Sequence, residues 1–220
     1  MAEAVPYSGT RPEEHREALV ARGRRLEYLT IAWNTFEAVV ALASGIIASS
    51  VALVGFGLDS AIETASALIL LWRLQVDRDA GRREHSERTA HRLVGIGFLL
   101  LAAYVAIESI RSLWLREASA RSVPGILIAA AAVIVMPVLA RAKRRVAAQL
   151  GSQALHSDSK QADFCAYLSA VLLMGLALQF TLGWWWADPV AALIMVPIIA
   201  HEGVQGLRGR ACDDCNPQAN

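Results

Sequence analysis

The chain has 220 residues, of which 55% are hydrophobic and only 19% charged, and its mean hydropathy is +0.39. A soluble domain of this size carries about a quarter charged residues, so the composition argues against one. The net charge of +1, with bases offset almost one for one by acids, argues against a nucleic-acid partner, and three cysteines make no disulfide framework.

From the N-terminus, residues 1–26 are polar and charged (Arg11-Pro12-Glu13-Glu14-His15-Arg16) and contain no cleavable signal peptide. They are expected to form a cytoplasmic segment. Apolar runs of about 20 residues follow, the length that crosses ~30 Å of hydrocarbon at about 1.5 Å per residue. A soluble helix would interrupt such runs every few residues to make a wet face. The pattern predicts six spans at roughly 27–47, 51–72, 93–115, 123–140, 162–182 and 185–205. A tight Ala48-Ser49-Ser50 turn makes the first two an antiparallel hairpin. Spans three and four meet near Ser122-Val123-Pro124-Gly125, and the last two are joined by Gly183 and Trp184-Trp185-Trp186. The fold class is therefore an all-α polytopic membrane protein, with a six-helix domain over 27–207 and a short tail over 208–220. About 15 residues follow the last span, too few to bury a core.

Basic residues predict the orientation. The N-terminal segment, the loop after span two, the segment after span four and the tail hold all but three of the 21 basic residues; only Arg111, Arg116 and Arg121 fall on the opposite side. This bias places both termini in the cytoplasm, and the tryptophans at 184–186 suit the outer interfacial belt.

Ionisable groups in hydrocarbon cost at least ~2.5–3.5 kcal/mol each at mid-helix and persist only where a cavity, a partner or an ion compensates. Span two contains Gly57-Leu58-Asp59-Ser60-Ala61-Ile62-Glu63. Asp59 and Glu63, four apart, share a helix face with side chains about 6 Å apart. Two carboxylates that close in low dielectric repel. A divalent cation between them removes the repulsion, and protons can replace it when it leaves. The plain alternative is a pair of neutral carboxyls hydrogen-bonded into the bundle. In span one, Asn34 and Glu37 lie three apart on one face, as a second layer or proton relay behind the pair, or as interhelical hydrogen bonds. Glu108, three residues before Arg111, reads as half of a local ion pair.

Span five opens His156-Ser157-Asp158-Ser159-Lys160-Gln161-Ala162-Asp163-Phe164-Cys165. Gln161 and Cys165 are again four apart and can face a partner helix. A thiolate favours zinc-like ions over magnesium or calcium, although a single buried Cys also serves as a small core residue. His156 and Asp158 stand at the cytoplasmic mouth, either collecting ions or as a solvated helix start with Asp158 near the N-cap. The tail sequence Cys212-Asp213-Asp214-Cys215 offers a loose metal clip that lacks two of four tetrahedral ligands; incidental or redox cysteines are the alternative. His15, His85, His91 and His201 read as solvated surface. No nucleophile–base pair and no Gly-rich phosphate loop points to an enzyme.

Six spans with both ends inside, the hairpin Ser-Gly…Ser-Ser-Val-Ala-Leu, and acid-x-x-x-acid in span two resemble the cation diffusion facilitators over residues 27–207. In that family spans two and five each give two residues, four apart, to a tetrahedral transport site. The resemblance implies Asp59 and Glu63 as the span-two pair, with Glu in place of the usual second Asp. In span five the family shows Ala-Asp-x-x-His-x-x-x-Asp; aligning Asp158 with the first acid puts Gln161 where the His belongs and Cys165 where the second Asp belongs. Ala187-Asp188-Pro189 opens span six as is common there. The resemblance implies a short, divergent branch without the cytoplasmic metal-binding domain of longer members. It implies a homodimer exporting a divalent metal, zinc foremost, across the plasma membrane in exchange for protons, with the metal as cargo and no resident cofactor. The replaced span-five ligands and the Cys-x-x-Cys tail leave a second reading open, a membrane metal sensor or scaffold that does not transport.

Overall fold

The computed structural model describes the backbone of residues 10–76, 80–151 and 153–208, with side chains described at 16–65, 67–68, 92–151, 155–156 and 158–207. Every element in it is helical: α1 (Thr10–Ala48), α2 (Val51–Val76), α3 (Ala80–Leu115), α4 (Val123–Leu150), α5 (Gln153–Leu182) and α6 (Ala187–Arg208). Within the described residues, α1, α3, α4, α5 and α6 are long and apolar enough to cross a membrane. The sixth, α2, includes side chains outside the described set; its 26 residues are long enough to cross. The chain is a polytopic α-helical membrane protein.

The helices outrun the apolar spans. α1 begins at Thr10 rather than near residue 27, α3 at Ala80, α5 at Gln153, and α4 continues to Leu150. Hydropathy marks where a helix leaves hydrocarbon, whereas Ala, Arg, Glu and Leu keep it helical beyond that point. The polar segment 1–26 is thus helical from Thr10 onward. Asp158 sits five residues inside α5, so the expected N-cap role is corrected. The three tryptophans precede α6 instead of opening it, with Trp184 and Trp186 stacked at 4.8 Å.

Local chemistry sets the turns. Ser49 takes a left-handed φ of 53°, and the backbone N–H groups of Ser49 and Ser50 donate back to Ile46 and Gly45. Ser50 caps α2, its hydroxyl accepting from Leu53 N at 3.1 Å. Asp188 of α6 completes that cap, accepting from Ser50 Oγ at 2.5 Å and Val51 N at 2.9 Å, where a helix N-terminus favours an anion. Ser122 caps α4 through Gly125 N, Pro124 sits in its first turn, and Gly151 ends it at φ 62°.

Ala120 N donates to Ala48 O at 2.7 Å and Gln179 reaches Ser119, so the 49–50 turn, the 116–122 link and the α5–α6 junction share one end of the bundle. The opposite end is the one to which the sequence assigns most of its bases. α1 runs along α2 and α4, α4 along α5, and α3 along α6, while α2 also touches α3, α5 and α6 and so occupies the centre. Alanines such as Ala41, Ala129, Ala132 and Ala192 are buried at these seams, as in membrane bundles where small residues let helices approach. At the α3–α6 crossing a Cβ on Gly95 would lie 2.7 Å from Gly203 O, so this approach requires glycine. Val39, Ile46, Leu100, Ile107, Ile134 and Val138 face outward, an apolar belt suited to lipid.

Candidate metal centre

The central helix α2 presents Asp59 and Glu63 one turn apart, and α5 packs Cys165 against them. Asp59 is 2% exposed, Glu63 9% and Cys165 fully buried. One ligand atom from each can be chosen so that all lie within 4.8 Å of one another. The spacing that put the two acids on one face thus also meets a thiol from a helix more than a hundred residues away.

α1 backs this group. Asn34 Nδ2 donates to Glu63 Oε2 at 2.9 Å. Glu37 is fully buried and accepts from Trp33 Nε1 at 2.7 Å, Ser60 Oγ at 2.6 Å and the Cys165 thiol at 3.6 Å. With three donors on its two oxygens, Glu37 ties α1 to α2 and α5. Asn34 and Glu37 share a helix face yet make different contacts, the amide reaching Glu63 and the carboxylate bridging to α2 and α5.

Among the described residues, no base is found among the electrostatic partners of this group. Among the described residues, the electrostatic partners of Glu63 are Asp59, Glu37, Asp158 and Glu202, all acidic, and those of Asp59 include Glu37 and Glu202. Two buried acceptor oxygens, Asp59 Oδ2 and Asn34 Oδ1, have no hydrogen-bond partner among the described residues. Buried acceptors are nearly always satisfied. A guest bearing positive charge, with no acceptor of its own to place, fits this set. Two carboxylates and a thiol suit a borderline divalent ion of the zinc type.

Gln161 is half-buried one turn before Cys165 on α5. His156 is exposed. Asp158 engages Lys143, which also pairs with Glu27 at 3.2 Å. Cys212 and Cys215, proposed as a tail clip, lie outside the described residues, and the side chains of His15, His85 and His91 lie outside the described set. Glu108 and Arg111 form their ion pair, joined by Glu117, on an exposed surface.

Two residues went unnoticed in the sequence. Lys143 is 0% exposed, yet it stands among Arg141, Arg144 and Arg145 and passes for one more surface base. Glu202 of α6 has a buried, unpartnered Oε1 and interacts with both acids of the pair. Its signal was the same as theirs, an acid within an apolar span, masked by its place near the span's end.

Residues 28–209 match the family model described as the cation efflux transmembrane domain. The chain belongs to the cation efflux family. This bears out the resemblance to the cation diffusion facilitators. It is also similar to a protein described as "Uncharacterized transporter sll1263" from Synechocystis sp. (strain ATCC 27184 / PCC 6803 / Kazusa), 28% identical over 153 residues. That match covers 67% of this chain and 49% of the relative, so the chain spans about half that relative's length.

Proposed function

We propose that this cation efflux protein is a secondary transporter carrying a divalent metal ion, zinc foremost, out of the cytoplasm in exchange for protons. The observation that carries the reading is the convergence of Asp59, Glu63 and Cys165, buried, within 4.8 Å of one another, and without a protein cation among the described residues. Those side chains hold the ion through two oxygens and a sulfur. Glu37, fixed by Trp33 and Ser60, keeps α1, α2 and α5 in register around it. The same carboxyls accept protons when the ion departs outward, because metal and proton compete for one set of lone pairs. The basic end of the bundle faces the cytoplasm, and two copies act together as a homodimer in the plasma membrane.

Zinc flux into proteoliposomes driven by a proton gradient tests this. The parent should accumulate zinc, and Asp59→Asn, which keeps shape but loses a charge, should reduce the rate at least about a hundredfold, in keeping with a site that binds through charge. Parent protein that binds zinc without accumulating it would instead be a membrane sensor or scaffold.

A further inference from the structure

The candidate centre has three donor atoms, and a closed tetrahedral shell needs four. Alignment within α5 offers Gln161 as the fourth. The geometry points to Asn34 of α1: we propose that its side-chain oxygen completes the metal shell with Asp59, Glu63 and Cys165. This rests on reading those three residues as the transport site.

Asn34 is 4% exposed, and its amide is fixed at one end only. Nδ2 donates to Glu63 Oε2 at 2.9 Å, which turns the amide so that nitrogen, not oxygen, meets the carboxylate. Oδ1, on the same carbon, is buried and has no partner among the described residues. An interior asparagine normally spends its carbonyl oxygen on a donor. Asp59 Oδ2 is orphaned in the same way on the opposing helix. Both unsatisfied atoms are acceptors, and a cation satisfies two acceptors at once. Gln161, by contrast, is half-buried one turn away from Cys165. A neutral amide oxygen in the fourth position leaves the donor set at two carboxylates and one sulfur, so the ion is held by three helices, α1, α2 and α5, instead of two.

The test is zinc titration calorimetry and cobalt(II) absorption on the purified full-length protein, with Asn34→Leu, Asn34→Asp, Gln161→Leu and Asp59→Asn. Asn34→Leu should weaken zinc binding at least about tenfold, the scale set by loss of an outer partner alone, and should alter the cobalt bands that report coordination geometry. Asn34→Asp, which offers an oxygen but can no longer donate to Glu63, should bind within about tenfold of the parent. Gln161→Leu should match the parent in both readouts. Parent-like binding and spectrum in Asn34→Leu overturn the assignment. So does equal loss in Asn34→Asp, which would make the hydrogen bond to Glu63 the whole role, and so does equal loss in Gln161→Leu. If Asn34→Leu does not fold, Asn34→Ser, too short to reach, replaces it under the same criteria. Asp59→Asn separates the levels: zinc binding unchanged there sinks the transport site itself, whereas loss there with none at Asn34→Leu sinks this inference alone.

Discussion

At the basic end of the bundle, Lys143 of α4 is buried between Glu27 of α1 and Asp158 of α5. Two turns further along α5, Asp59, Glu63 and Cys165 converge with no such lysine among the described residues. Both places gather acids in a medium that penalises charge. The first supplies its own cation and becomes a clamp across three helices. The second leaves acceptors open, and the proposed transport site rests on that difference. The two are also close enough to sense each other, since Asp158 interacts electrostatically with Glu63.

That contrast can be broken by mutation. The largest effect on stability is expected from Lys143→Met, which strands two acids around an apolar chain. Removing one partner of a buried pair costs about 3 kcal/mol, so the thermal midpoint in detergent should fall sharply. The triple variant Lys143→Met, Glu27→Gln, Asp158→Asn should recover most of the loss, because the isosteres no longer carry unbalanced charge. Asp59→Asn should do the reverse, holding or raising the metal-free midpoint while metal binding goes. A midpoint drop in Asp59→Asn as large as in Lys143→Met would erase the distinction between clamp and receiver.

A smaller, more selective change is expected at Cys165. Replacing the thiol by serine keeps size and burial but removes the soft donor, so preference for zinc over manganese in competition uptake should fall about tenfold. An unchanged ratio would return Cys165 to the role of a small core residue. Least of all should come from Arg111→Ala. Its pairs with Glu108 and Glu117 are exposed, and surface ion pairs of this kind contribute little, so both midpoint and uptake should stay within the scatter of the parent.

The helices and the acid pair were legible in the sequence because both depend on local rules. Span length follows from bilayer thickness, and residues four apart share a helix face, so Asp59 and Glu63 declared themselves. Cys165 was reachable through the same spacing plus the family pattern. What the sequence hid were relations across helices. Asp158 read as an ion collector or a solvated helix start because its partner, Lys143, lies fifteen residues away on another helix and resembles its surface neighbours. Glu202 was overlooked because hydropathy averages over an acid near a span's end. The orphaned oxygen of Asn34 is a fact about what is missing around an atom, and periodicity carries no information about that. The helix ends lay beyond the reach of hydropathy for a different reason: leaving the membrane does not end a helix.

The most direct test of a divalent ion held by Asp59, Glu63 and Cys165 is X-ray absorption at the zinc edge on the loaded protein. One sulfur at about 2.3 Å with the remaining ligands oxygen at about 2.0–2.2 Å is the expected shell, and the sulfur should vanish in Cys165→Ser. A shell of light atoms only in the parent, or the same spectrum with Asp59→Asn, would place the ion elsewhere and contradict the site.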